Sequence, residues 1–135
     1  MPNWCKNKLE VYGKASHLRK FRDSVKSEDT QISLNKLKPL TTKTNTMASN
    51  EWGTKWDIEA SLIDEHIVDG YDGYLVYEFY SAWSPPCEAI LAGSKKYKNL
   101  KFCLHYDEPG MCFKGVYICK KNEVRLDNCI DWSTS

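Results

Sequence analysis

A chain of 135 residues, 41% of them hydrophobic, is long enough to bury a core as one domain without metals or disulfides. Nineteen Lys and Arg against eighteen Asp and Glu leave a formal net charge of +1, which argues against a protein that grips nucleic acid mainly through phosphates. No apolar run nears the ~18 residues of a membrane span. The stretch "MPNWCKNKLEVYG" has no apolar centre of a secretory signal, so the expected address is the cytosol.

In chain order, "CKNKLEVY" (5–12) alternates Leu9 and Val11 against Lys8, Glu10 and Tyr12, the pattern of a half-buried strand. After Gly13, Ser16 reads as an N-cap of a helix running to about Lys26, with Leu18, Phe21 and Val25 along one side. "SLNKLKPL" (33–40) reads as a short extended piece, and residues 41–51 as a polar surface loop. "TKWDIEASL" (54–62) alternates again, with Trp56, Ile58, Ala60 and Leu62 inward and Lys55, Asp57, Glu59 and Ser61 outward. "DGYDG" is turn chemistry. "YLVYEFYSAW" is a strand rich in aromatic and β-branched residues, with Leu75, Tyr77, Phe79 and Ser81 on one face and Val76, Glu78 and Tyr80 on the other.

Ser84 then reads as the cap of a second helix, with Pro85 at its first position and Cys87, Ile90, Leu91 and Ser94 at helical spacing. "LKFCLHY" (100–106) is a strand, "DEPG" a turn and "MCFKGVYICKK" a final strand, with residues 125–135 an unassigned tail. The expected fold is one α+β domain over 1–135. Its plan is a ferredoxin-like β-α-β-β-α-β antiparallel sheet backed by two helices, with one additional C-terminal strand.

Four stretches carry a resemblance: "MPNWCKNKLEV", "WGTKWD" (52–57), "AWSPP" (82–86) and "YDEPGMCFKG" (106–115). In this order they resemble the YubB-type ferredoxin-like domain family of small phage and plasmid proteins. The resemblance implies a ferredoxin-like fold without an iron–sulfur cluster, a mobile-element origin and no assigned molecular role. The chain departs from the family at 41–51, where it has only a short polar loop.

The six cysteines (Cys5, Cys87, Cys103, Cys112, Cys119 and Cys129) form no CxxC pair and read mainly as small buried hydrophobes. Cys103 and His105 share a strand face, but as metal ligands they lack two companions, and as nucleophile and base they lack an orienting group. No P-loop, GxGxxG, HExxH or GxSxG occurs. The expectation is therefore no catalytic residue, no metal and no cofactor. A small metal- or Cys/His-dependent hydrolase stays as an alternative.

Trp4, Trp52 and Trp83 lie at strand ends, where an indole either staples a loop over the core or walls a binding pocket. On the second reading the ligand-binding residues are Asn3, Trp4, Asn7, Trp52, Gly53, Trp56, Asp57, Trp83, Ser84, Tyr106 and Glu108, and the ligand is small and nucleotide-like. A host protein bound through an edge strand or the Trp-rich end is the other partner, and an edge strand also permits an oligomer. Broad nucleic-acid binding on the open sheet face is not expected, because four carboxylates there oppose three lysines. The expected role is a non-enzymatic accessory protein that acts by binding, as an inhibitor of host defence.

Overall fold

The computed structural model describes residues 3–40, 51–54 and 56–131. Six strands build one antiparallel sheet: β1 (Trp4–Lys14), β2 (Ser61–His66), β3 (Asp72–Ala82), β4 (Lys101–Glu108), β5 (Phe113–Lys120) and β6 (Glu123–Asp131). The helices are α1 (Ala15–Val25), α2 (Leu34–Leu37) and α3 (Cys87–Lys96). The sheet order is β2-β3-β1-β4-β5-β6. Among the described residues no helix is long and apolar enough to cross a membrane.

Strand β1 sits at the centre because it pairs along both edges, with β3 over Trp4–Lys14 and with β4 over Lys6–Tyr12. Its burial alternates residue by residue. Cys5, Leu9 and Val11 point to the helices, joining Leu75, Tyr77, Phe79, Phe102 and Leu104 in the core. Leu18, Phe21 and Val25 of α1 close that core from above, and Phe21 meets Tyr77, Tyr97 and Phe102 edge-on. Among the described residues no helix lies over the other face of the sheet, which bears Trp4, Lys8, Glu10 and Tyr12.

The expected layout of two helices and one added strand is corrected: among the described residues sheet predominates, with six strands and the three short helices α1–α3. Residues 33–40, expected as extended, contain α2, whose first backbone N–H groups are served from outside the helix. The Asp57 carboxylate accepts from the Leu34 N–H at 2.7 Å and from the Ser33 hydroxyl at 2.9 Å. The strand expected over 54–62 begins only at Ser61. Ile58 and Ala60 are buried as their alternation required, but their backbone bonds go elsewhere. The Ala60 N–H donates to the Thr30 hydroxyl and its carbonyl accepts from the Gln31 N–H, so this segment ties to the chain before α2 instead of joining the sheet. Lys55 and nearly all of the expected 41–51 loop lie outside the described residues.

The second helix starts at Cys87 with Pro86 at its N-cap, not at Ser84. The tail left unassigned from 125 is largely strand. Lys121 and Asn122, at φ 54° and 62°, form a two-residue turn of the mirror-image type, whose twist matches its flanking strands. The turn is held to α3 by the Asn122 N–H donating to the Ser94 hydroxyl. A Cβ at Gly115 would come within 2.4 Å of the Tyr106 hydroxyl, so only glycine lets that ring lie across β5.

The cysteines supply a test of the packing. Burial pushes the Cys5 thiol up to about 12 and the Cys119 thiol up to about 11, from an ordinary 9.0. The folded state therefore keeps protons that the unfolded chain gives up above pH 9. Their contribution is intact below pH 9 and is lost as pH climbs towards 11–12. The expected cost is on the order of 1.4 kcal/mol per pH unit and thiol. Urea unfolding of a Cys5→Ala, Cys119→Ala protein should show a shallower alkaline loss than the parent. Equal slopes would show that these thiols are not its source.

Candidate functional site

The Trp-rich motifs do converge on one end of the sheet, but they divide into staples and an open cleft. Trp52 is a staple: it is 5% exposed, and its indole N–H donates to the Lys38 carbonyl at 2.8 Å. Gly53, at φ 87°, follows it, and a Cβ there would lie 2.2 Å from Glu88 and 3.0 Å from the backbone of Pro85 and Cys87. The close approach that Gly53 permits is thus to the start of α3. The Ser84 hydroxyl donates to the Gly53 carbonyl and the Thr54 hydroxyl to the Ala82 carbonyl, locking "WGT" against "AWSPP".

Trp83 takes φ 71°, with the Ser84 N–H donating to the Ala82 carbonyl across it, the strained form of γ-turn. The Trp83 N–H donates to the Asn3 carbonyl, and its ring stays 45% exposed. Asn7 and Glu108 are buried on the helix side. The Asn7 amide donates to the Cys5 carbonyl and the Ser81 hydroxyl, while Glu108 accepts from the Gly110 N–H. The Asn7 Oδ1 and Glu108 Oε2 atoms have no hydrogen-bond partner among the described residues. Tyr106 packs against Phe113 and over Gly115, binding the β5–β6 hairpin to the sheet.

Trp4 and Trp56 do something different. Their ring centroids lie 6.3 Å apart with planes tilted by 46°, and both rings remain partly exposed. Together with Asp57, Ile58, Glu59 and Tyr80, Trp4 lines a cleft of about 510 Å³. The cleft exists because residues 56–60 leave the sheet just where β2 would otherwise run beside Tyr80. Asp57 is held in place on the cleft lining, since both its carboxylate oxygens accept hydrogen bonds, from the Ser33 hydroxyl and from the Leu34 and Ile58 N–H groups. Of the expected ligand-binding residues, then, Trp4 and Asp57 line the open cleft and Trp56 packs against Trp4, while Asn3, Asn7, Trp52, Gly53, Trp83, Ser84, Tyr106 and Glu108 do not line it. Tyr80 and Glu59 were not among them, although the outward parity of Tyr80 placed it on the open face.

Further along the same face, Glu10, Cys103 and His105 come together. The Nε2 atom of His105 lies 2.8 Å from Glu10 Oε1 and 3.3 Å from Cys103 Sγ. Burial raises the Cys103 thiol and the adjacent Glu10 charge raises it further. Burial also works against ionisation of Glu10, yet hydrogen bonds from His105 and Tyr12 hold its carboxyl below the usual range.

These roles separate by stability. Trp52→Ala should cost about 3–5 kcal/mol in urea unfolding, the loss expected for truncating a buried aromatic. Trp83→Gly should raise the melting temperature, because glycine relieves roughly 1–2 kcal/mol of left-handed strain. A fall instead would mean that the indole packs more than its exposure implies.

Comparison with known proteins places this geometry. Among curated proteins none matches the chain. The crystal structure of the protein api92 from Yersinia pseudotuberculosis is similar in fold, with a TM-score of 0.72 over 98% of this chain and 99% of that one, at 9% identity. Residues 51–135 match the family described as "Ferredoxin-like domain in Api92-like protein". The chain belongs to that family of ferredoxin-like domains.

Proposed function

We propose that this domain works by binding, and that it takes a planar, nucleobase-like group into the cleft lined by Trp4 and Tyr80. The observation that carries the reading is this cleft of about 510 Å³ with its two exposed aromatic side chains, Trp4 being backed by the Trp56 indole 6.3 Å away. Exposing two indoles and a phenol to water at one place forfeits apolar burial, which a stacked ring restores. Each base–aromatic stack contributes about 1–3 kcal/mol.

Charge around the cleft orients the ligand. Glu59 at the rim repels phosphate, whereas exposed Lys6 is the cross-strand neighbour of Tyr80 and offers a cation on the β1 side. A nucleotide therefore stacks its base on Trp4 beside Tyr80 and turns its phosphate to Lys6. Catalysis by Cys103 and His105 is disfavoured, because a thiol raised by burial and by Glu10 is the opposite of an activated nucleophile. The resemblance to a YubB-type family of phage and plasmid proteins supplies the context for this binding: a cytosolic accessory protein that sequesters a nucleotide-derived signal of host defence.

A second reading rests on β6, the outer strand of the sheet, where Val124, Leu126 and Ile130 are exposed. A host protein adding a strand there would be recognised through these side chains. Leu126→Lys with Ile130→Lys should then abolish capture of that partner and leave nucleotide binding untouched.

The main reading is tested by titrating common and cyclic nucleotides while following tryptophan fluorescence. Quenching is expected for at least one of them. Trp4→Ala and Tyr80→Ala should each weaken binding roughly 5- to 150-fold, the equivalent of one lost stack. Trp83→Ala should leave it unchanged. A flat response from the parent protein across all the nucleotides would defeat the proposal.

A further inference from the structure

We infer that Glu10, Cys103 and His105 form a three-donor site for a zinc-class divalent cation on the open face of the sheet. The donors are a carboxylate oxygen, a thiol sulfur and an imidazole nitrogen, all within 4.8 Å of one another. Two neighbouring strands fix them without help from loops. Glu10 is the cross-strand partner of Cys103, and His105 lies two residues along β4 on the same face, opposite Lys8.

The spacing of the trio suits a shared cation. His105 Nε2 lies 2.8 Å from Glu10 Oε1 and 3.3 Å from Cys103 Sγ, and Glu10 faces Cys103 across the β1–β4 pair. A divalent cation at the centre of the trio uses one lone pair from each donor. With bond lengths near 2.0–2.3 Å, the edges of such a tetrahedron are about 3.3–3.7 Å, so the trio needs shifts of roughly 0.5–1 Å.

Donor chemistry selects the metal. Sulfur and nitrogen disfavour Mg²⁺ and Ca²⁺ and suit Zn²⁺ or Co²⁺. On binding, the Cys103 S–H bond breaks, its proton goes to solvent and the thiolate keeps the electron pair that it donates to the metal. Thiolate and carboxylate together balance the two positive charges. Lys8 and Lys101 flank the donors and oppose the cation, while Tyr12 reaches Glu10 as an outer partner. Among the described residues no helix covers this face and the His105 side chain is 44% exposed, so a fourth position faces outward, open to water or an external donor.

The test is to add Co²⁺ to metal-free protein and record its near-ultraviolet and visible spectrum. One equivalent should produce thiolate-to-cobalt charge-transfer absorption with tetrahedral visible bands, and Zn²⁺ should bleach both. Cys103→Ser should abolish the charge-transfer band, and His105→Ala and Glu10→Gln should each weaken binding at least tenfold. Cys129→Ser and Cys112→Ser should leave the spectrum intact. No band in the parent protein under excess Co²⁺ would overturn the site, as would a band that survives Cys103→Ser or disappears with Cys129→Ser. Should Cys103→Ser lose its native circular dichroism, the more exposed His105→Ala decides: undiminished Co²⁺ affinity there equally overturns the site.

Discussion

Strand β1 is hydrogen-bonded on both edges, and everything else follows from the parity of its side chains. Odd positions from Cys5 to Val11 enter the core under the helices; even positions from Trp4 to Tyr12 stand on the open face. A slip of one residue against either neighbour would bury Lys8 and Glu10 and expel Leu9 and Val11. Burying those charges unpaired costs far more than any local rearrangement could recover, so the register is tightly specified. It is this register that sets Trp4 beside the cleft and Glu10 opposite Cys103.

The second constraint is the diversion of residues 56–60 from the sheet. Thr30 and Gln31 take the backbone groups of Ala60, and Asp57 spends its carboxylate on the start of α2. Without these bonds, 56–60 would extend β2 alongside Tyr80 and fill the space where the cleft lies. The cleft is thus a gap beside the sheet, bordered by a segment whose Ile58 and Ala60 are buried but whose backbone has no strand partner. Its walls are firm because the motif on its far side, from Trp52 to Ser84, is cross-bonded through Gly53 and Ala82.

Much of this was readable from alternation alone. The inward sets on the first, third and fourth strands emerged because a two-residue period leaves one solution when one face is buried. The same period misled at 54–62, where Ile58 and Ala60 are buried as a strand's would be while their backbones bond to Thr30 and Gln31. Periodicity reports where side chains go and is blind to backbone partners. Trp52 and Trp56 look alike in sequence; the Lys38 carbonyl, fourteen positions away, makes one a staple. Cys103 and His105 stood out as a pair, but their third companion lies 95 positions from His105 and is adjacent only through the β1–β4 register. The missed hairpin was more accessible, since Lys121 and Asn122 sit between two runs of strand-forming residues.

The central place of β1 has a consequence for synthesis. Its partner β4 follows it by some 95 residues, which at ribosomal rates of 5–20 residues per second means roughly 5–20 s before both edges are covered. Until β3 is made both sides of β1 are open, and from then until β4 arrives one side still is, available to any other extended chain nearby. Lys6, Lys8 and Lys14, interleaved with its apolar residues, give an approaching copy three like charges to meet. The charges that later decorate the open face thus first serve as guards, keeping the growing polypeptide from aggregating until its own strands arrive.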